Sequence, residues 1–296
     1  MNRPKSLAAV ADHRLRRAGL QVARLAGWWL RPQRWPMAER YVPERHGRLE
    51  VLVHEVTAPI RREDGFADPA LEAGKRKNLG LAAPAFDGLV VRPDRPLSFW
   101  RTLGRASQSR GYTWGRELRG GCVVPAIAGG LCLLSNALFE LAVRAGWRIL
   151  ERHGHSLEVI PPQPGTLLLD ATVAWPDVDL VVAPPSGPAR LSIRVDEDTL
   201  RVAAFAARAP EERIELTAEE RIEQRGPERV RSSRVVRRRS SGDGAVLATD
   251  VVAHDERRIL ATDELHETCL SCDEHRCRDR PPERVIATLR TLGRKR

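Results

Sequence analysis

Residues 129–145 read GGLCLLSNALFELAVRA, and this stretch decides the fold. Its apolar residues recur every three or four positions, which is the period of a helix that buries one face. Glycines precede the run and Gly146 follows it, as expected where a helix begins and ends. The pattern predicts a core helix over residues 131–145, with Cys132 in its first turn.

Shorter segments surround this helix, separated by turn residues. A second helix is predicted over residues 75–87, with Gly88 at its C-terminal cap. Short apolar segments lie at residues 89–91, 97–100 and 122–127. Strands are predicted over residues 49–56, 147–151, 171–175, 179–183, 191–195, 213–216, 229–239 and 246–254. The expected fold class is α+β, with a basic helical N-terminal extension (1–70), a central helix–strand domain (71–205) and a β-rich C-terminal region (206–296).

Cys132 has the position of a reactive thiol. The amides and the dipole of a first helical turn favour an anion, and therefore the thiolate. Residues 152–156, RHGHS, are expected on the strand after the helix, where His155 or His153 could act as the base. The alternative is a structural thiol, because cysteine is often buried and leucines flank Cys132.

The two histidines have an alternative use. Alternation along the predicted strand places His153 and His155 on one face. Two adjacent imidazoles suit a metal as well as a base, although the sequence offers no third ligand beside them.

Three ordered stretches resemble the VanW family, which is named for an accessory protein of vancomycin-resistance clusters. These are KRKNLGLAAPAFDGLVVRPDRPLSFWRTLGRASQSRGY (75–112), VVPAIAGGLCLLSNALFELA (123–142) and ILERHGHSLEV (149–159). The family pattern has a DGxVxxPG-like turn, an SFW segment, RGY, a GGGxCQxS helix start and an RHxHS strand. The resemblance extends over about residues 75–193, and it implies a link to glycopeptide resistance and cell-envelope biology.

The family motifs fall on particular residues of this chain, with three departures, the mildest of which is Pro93-Asp94 at the PG turn. Ala128 replaces the first motif glycine, and Leu133 replaces the glutamine after the cysteine. Leu133 lacks the amide that would stand beside the thiol. The expected catalytic residues are Cys132 with His155 or His153, and the amides from Gly129 to Cys132 would stabilise an oxyanion. The expected substrate-binding residues are Gly129, Gly130, Ser135, Ser156, Trp100 and Tyr112, with core packing as the alternative for the two aromatic residues.

Two functions are compatible with these residues. The first is a thiol-dependent hydrolase or acyl-transferase acting on peptidoglycan stem peptides or their precursors. The second is a non-catalytic binding module for such a precursor or for an envelope partner. The glycine–cysteine helix start and the RHxHS segment favour the first, whereas Leu133 and the apolar neighbours favour the second.

The chain is basic, with 49 Lys+Arg against 39 Asp+Glu and a net charge of +10. Only four of the cations are lysine, and the arginines are spread along the chain among acidic residues. Nucleic acid is therefore not the expected partner. The basic strand 229–239 is expected at a solvated sheet edge rather than at a polyanion site.

The N-terminal residues 14–31 have helical periodicity and two tryptophans. Such a helix could lie on an anionic membrane surface, and the alternative is a helix docked on the protein's own core. No apolar run is long enough for a membrane span, and no secretory signal is evident. The expected location is cytoplasmic, with peripheral contact to the inner membrane face.

Near the C-terminus, cysteines and histidines cluster. Three of the five cysteines fall between residues 266 and 277. Their spacing approaches that of a zinc knuckle, with a redox pair or an unremarkable cluster as alternatives. The candidate ligands for structural zinc are Cys269, Cys272, Cys277 and His266.

Overall fold

The computed structural model describes residues 7–30, 37–61, 68–119, 122–158, 167–260 and 281–293, and the described residues form a mixed α+β fold. The helices are α1 (Leu7–Leu30), α2 (Pro43–His46), α3 (Pro69–Phe86), α4 (Phe99–Leu103), α5 (Cys132–Arg144) and α6 (Glu283–Gly293). The strands are β1 (Glu39–Arg40), β2 (Val51–Pro59), β3 (Leu89–Val91), β4 (Leu97–Ser98), β5 (Trp114–Arg119), β6 (Cys122–Ile127), β7 (Arg148–Glu151), β8 (Leu157–Glu158), β9 (Val181–Ala183), β10 (Ala189–Val195), β11 (Thr199–Ala206), β12 (Arg213–Arg225), β13 (Glu228–Ser240) and β14 (Val246–Ile259).

A five-stranded antiparallel sheet supports the main core. Its strand order is β1-β3-β10-β11-β2, so two strands from the first 70 residues pair with strands of the central region. Helices α3 and α5 pack against this sheet. Their fully buried side chains include Leu79, Phe86, Leu134 and Phe139. Apolar burial of this kind is the dominant force that holds helices on a sheet.

Both predicted core helices are present. Helix α5 runs over Cys132–Arg144, within one residue of the prediction at each end. Helix α3 begins earlier than predicted, because Asp68 caps it by accepting hydrogen bonds from the amides of Ala70 and Leu71. The chain leaves α3 through Gly88, whose φ of +70° favours glycine.

The C-terminal region folds as a second sheet of order β12-β13-β14-β8. The expectation that residues 229–239 form an edge strand is wrong, since β13 lies between β12 and β14. Its arginines are paired inside the sheet: Arg231 contacts Glu158 and Glu220, and Arg237 contacts Asp250. Neighbouring strands therefore neutralise the basic run.

Two predicted strands are absent, and this affects the site. Residues 152–156 leave β7 as a loop, and the predicted strand over residues 171–175 has only an isolated bridge at Ala174. The two segments meet where the amide of Thr172 donates to the carbonyl of His153 at 2.8 Å. One backbone hydrogen bond of this kind does not make a ladder, so alternation does not determine where the two histidines point.

Helix α1 is docked on the core through one face. Gln21 bonds Asp177 at 3.0 Å, Arg24 bonds Glu151, and the ring of Trp28 lies 5.7 Å from that of Trp175. Within the described part of the chain, no helix is both long and apolar enough to cross a membrane.

Candidate active site

A buried amide holds the turn before Cys132. Asn78, on α3, is fully buried. Its Nδ2 donates to the carbonyls of Thr113 and Gly129, each at 3.0 Å, and its Oδ1 accepts from the amide of Thr113 at 2.9 Å. A side chain that satisfies three backbone groups in the core fixes the position of each. Asn78 thus connects α3 to the start of β5 and to the start of α5.

The backbone of this turn has an unusual conformation. Gly130 has φ +98°, and Ala128 has φ +62°, a region that costs an L-residue conformational energy. Gly115 and Gly129 pack backbone against backbone, and a Cβ on either would overlap the carbonyl of the other. The amide of Gly129 donates to the carbonyl of Ala126 at 3.0 Å and is engaged inside the turn. The amides of Leu133 and Leu134 donate in the same way to the carbonyls of Gly130 and Leu131, each at 3.0 Å. The oxyanion role predicted for residues 129–132 is therefore left to the amides of residues 130–132.

The first turn of α5 also holds the segment 170–173. The hydroxyl of Ser135 donates to the carbonyl of Ala171 at 2.5 Å, and Oδ1 of Asn136 accepts from the amide of Ala171 at 2.7 Å. As a result, Oγ1 of Thr172 lies 3.7 Å from Sγ of Cys132. Ser135 is fully buried, so its contacts place it as a support for this segment.

His155 lies between Asp170 and Cys132. Its Nδ1 is 2.8 Å from Oδ1 of Asp170, and its backbone amide donates to Oδ2 of Asp170 at 2.8 Å. Burial alone would lower the pKa of His155, but hydrogen bonds to Asp170 and to Cys132 outweigh burial and raise the pKa to about 10. The imidazole is therefore protonated at neutral pH and contacts both the carboxylate and the thiol.

Asp170 is ionised in this arrangement. Burial would raise its pKa, but the hydrogen bonds and the charge of His155, together with the charge of Arg257, lower the pKa to about 2. The three side chains of Cys132, His155 and Asp170 form a thiol–imidazole–carboxylate series. Such a series is the general arrangement of an activated nucleophile with an oriented base.

The other predicted histidine is not part of this series. His153 has an exposed side chain (45%), and its Nε2 lies 3.2 Å from Oε1 of Glu151. The irregular backbone of residues 152–156 directs the two imidazoles to different partners. The structure therefore brings Cys132 together with His155 and not with His153.

The remaining predicted binding residues have other surroundings. Trp100 and Tyr112 are buried in the main core. Nε1 of Trp100 donates to the carbonyl of Val178 at 2.8 Å. Ser156 is exposed, and its carbonyl accepts from the amide of Arg258 at 3.0 Å.

The predicted zinc ligands Cys269, Cys272, Cys277 and His266 lie outside the described residues. Among the residues that the structure describes, no three His, Cys, Asp or Glu side chains converge as metal ligands would.

A cavity of about 730 Å³ lies away from the thiol. It is lined in part by His54 on β2, by Arg144 at the end of α5 and by Ile214 on β12. It does not include Cys132, His155 or Asp170. We place the candidate site at these three residues because they carry the reacting groups.

Sequence reasoning missed two residues of the site. Asp170 opens the segment DATV, and an acidic side chain directly before a short apolar segment is a signal that could have identified it. Asn78 gave no signal, because one asparagine in a predicted helix is usually exposed. Its role depends on contacts with residues 35 and 51 positions away.

Comparison with known proteins finds a family match for the central region. Residues 74–205 match the family model described as VanW like protein. The vancomycin B-type resistance protein VanW of Enterococcus faecalis (strain ATCC 700802 / V583) is 26% identical over 166 residues, which are 55% of this chain and 60% of that protein. The uncharacterized protein YoaR of Bacillus subtilis (strain 168) is 34% identical over 126 residues, which are 43% of this chain and 40% of that protein. The chain therefore spans about half the length of these curated relatives. No solved structure matches it.

Proposed function

We propose that the protein, whose residues 74–205 match the VanW family model, is a Cys132-dependent hydrolase or acyl-transferase of peptidoglycan stem peptides or their precursors. The observation that carries the proposal is the series of Cys132, His155 and Asp170. The relative from E. faecalis is named for vancomycin resistance, and we extend that link to glycopeptide resistance to this chain. Stem peptides contain the amide bonds that a thiolate can attack.

The charged groups linked to His155 and Asp170 have a net positive charge, which favours an anion beside His155. Arg152, Arg257 and His155 supply three cationic groups, while Asp170 and Asp255 supply two carboxylates. These groups are connected by hydrogen bonds and ion pairs in a mostly buried cluster, where unbalanced charge is costly. A thiolate at Cys132 would be the third anion and would balance the cluster.

The proposed reaction has two steps. Sγ of Cys132 attacks the amide carbonyl carbon, and the backbone amides of residues 130–132 stabilise the oxyanion. The imidazolium of His155 gives its proton to the leaving amine as the C–N bond breaks, which leaves a thioester. Water or an acceptor amine then attacks the thioester and passes a proton to His155, and the thiolate leaves. Asp170 holds the imidazole in place throughout.

Alkylation of the cysteines tests the thiolate. The control thiol is Cys122, a half-buried cysteine on β6. At neutral pH, iodoacetamide should modify Cys132 about tenfold faster than Cys122 or more, as followed by peptide mass spectrometry. Equal rates for the two cysteines would contradict the proposal.

Turnover provides the second test. Cys132→Ala should lower the release of amino acids from purified muropeptides by about 10³-fold or more, while circular dichroism stays unchanged. Cys122→Ala is the matched control and should keep the wild-type rate. A Cys132→Ala variant with wild-type turnover would contradict the proposal.

Leu133 favours a second candidate function, a binding module for a peptidoglycan precursor. It stands where the family pattern has glutamine, and it packs against the main core. No side-chain amide of that residue is available beside the thiol. A chain with an unreactive Cys132 that still binds muropeptides, in both wild-type and Cys132→Ala forms, would favour this candidate.

We also propose that α1 rests on an anionic bilayer surface. Its docked face uses Gln21, Arg24 and Trp28, whereas the side chain of Trp29 is 86% exposed. Leu20, Val22 and Leu30 are exposed as well. Residues 14–34 contain six arginines and no acidic residue, and this charge fits an anionic surface.

Vesicle sedimentation tests this contact. The protein should sediment with vesicles that contain phosphatidylglycerol and not with pure phosphatidylcholine. Trp29→Ser should weaken the binding several-fold, whereas Ile222→Ser, at an exposed site on β12, should not. Equal sedimentation of both variants with anionic vesicles would contradict the proposal.

A further inference from the structure

We propose that the C-terminal sheet completes the candidate site, and that Arg257 on β14 is a positioning residue that holds the carboxylate of Asp170 against His155. The inference rests on the proposed function. It adds a part of the chain that lies outside the VanW match at residues 74–205.

The guanidinium of Arg257 contacts the orienting acid directly. Its Nη2 lies 3.3 Å from Oδ2 of Asp170 and 3.3 Å from Oδ2 of Asp255. All three side chains are mostly buried. A guanidinium stays charged and has a rigid fork of donors, and here one nitrogen of that fork, Nη2, approaches both carboxylates. Arg257 thereby links Asp170 to the body of β14.

A second connection passes through Arg152. Its Nη1 donates to Oδ1 of Asp255 at 2.7 Å, and its Nη2 donates to the other carboxylate oxygen. Its Nε donates to the carbonyl of Asp170 at 2.6 Å. Arg152 therefore connects the backbone of the acid to the same carboxylate that Arg257 contacts.

The loop that carries His155 lies directly against β14. A Cβ at Gly154 would overlap the carboxylate of Asp255, so the backbone approaches that strand closely. The amide of Arg258 donates to the carbonyl of Ser156 at 3.0 Å, and β8 then pairs with β14 in parallel. Both members of the His155–Asp170 pair are thus anchored on one strand of the C-terminal sheet.

A purely structural ion network would predict something different. Loss of Arg257 would then lower stability without changing the imidazole of His155. A positioning role requires that loss of Arg257 alters His155, and that it does so only while residue 170 is a carboxylate. A double-mutant cycle between Arg257 and Asp170 separates the two possibilities.

The first measurement is the NMR titration of His155. The wild-type midpoint is expected at about 10. Loss of the Arg257 charge would by itself raise the midpoint, so a fall of about one pH unit in Arg257→Met would report that the acid has lost its fixed orientation, and Asp170→Asn should lower the midpoint further. Adding Arg257→Met to Asp170→Asn should then not lower the midpoint again. The control Arg225→Met removes an exposed ion pair to Glu256 and should leave the midpoint unchanged.

The second measurement is the alkylation rate of Cys132 in the same proteins. Arg257→Met should slow alkylation about tenfold in the wild-type background and have no effect beside Asp170→Asn. An unchanged His155 midpoint in Arg257→Met, or equal effects of Arg257→Met in both backgrounds, would overturn the inference.

Failure of the proposed function is recognisable separately. It would appear as a wild-type Cys132 no more reactive than Cys122, and the titration of His155 would still decide the role of Arg257.

If Arg257→Met does not fold, Arg257→Lys replaces it. A lysine keeps the charge but not the fork, so the midpoint should fall between those of the wild type and Asp170→Asn. An unchanged midpoint in Arg257→Lys would overturn the inference as well.

Discussion

The thiol and its acid–base pair are supported in different ways. Cys132 begins a regular helix whose apolar face is packed in the main core. His155 and Asp170 lie in irregular segments, and ion pairs such as Arg152–Asp255, between residues 103 positions apart, hold them. The thiol is therefore placed by a helix that local sequence specifies, whereas the pair beside it depends on the C-terminal sheet.

The largest expected effect separates the two histidines. His155→Ala should slow turnover by about 10³-fold and Cys132 alkylation by about tenfold or more, because the thiolate loses its cationic partner and the leaving group loses its acid. His153→Ala should change either rate less than about twofold, since His153 is exposed and contacts Glu151 instead. The rates are measured on muropeptides and with iodoacetamide. The reverse order of effects would assign the base to His153.

The helices could be predicted because their signals are local. Periodicity and the flanking glycines predict helix α5. The segment with the two histidines follows this helix in the sequence, and this order predicts a histidine near Cys132. The choice between His153 and His155 did not follow, because it assumed a strand that the chain does not form. Residues 152–156 satisfy their backbone through Thr172 and β14, and a single sequence carries no sign of such partners.

The basic strand β13 shows the same limit. Its many arginines indicated a strand at a solvated sheet edge. The composition of one strand does not reveal which strands lie on either side of it. Glu158 on β8 and Asp250 on β14 supply the missing anions from distant positions. Asp170 escaped prediction for a similar reason, as its role depends on His155 and Arg257.

The next largest effect tests the support of the thiol. Asn78→Ala should lower the free energy of unfolding by about 2–4 kcal/mol, because it leaves backbone groups of Thr113 and Gly129 unpaired in the core. Urea denaturation measures this change. The control Gln108→Ala, at an exposed site, should change stability by less than about 0.5 kcal/mol. Equal stabilities for the two variants would show that the clamp contributes nothing.

The pH dependence of stability tests the acid–base pair. The pKa of His155 is about 10 in the folded protein and has its ordinary value of 6.5 in the unfolded chain. A raised pKa contributes stability that is complete below pH 6.5 and is lost as the pH rises towards 10. The wild type should therefore lose more stability over this window than His155→Ala. Asp170→Asn should remove most of this loss too, and parallel curves for all three proteins would contradict the pairing.

The smallest expected effect is a change in stability caused by the turn before Cys132. Ala128 has φ +62°, where glycine is unstrained, and the family pattern has glycine at this position. Ala128→Gly should raise the free energy of unfolding by about 1 kcal/mol, since it removes the left-handed strain without losing a large side chain. In the control Ala85→Gly, within α3, the same change should lower stability by about 1 kcal/mol. Glycine enlarges the unfolded ensemble at both sites, which lowers the free energy of unfolding. Only relief of backbone strain at residue 128 can make the change in free energy positive there. A destabilised Ala128→Gly would mean that contacts of the Ala128 methyl group, and not its backbone conformation, decide the energy of this turn.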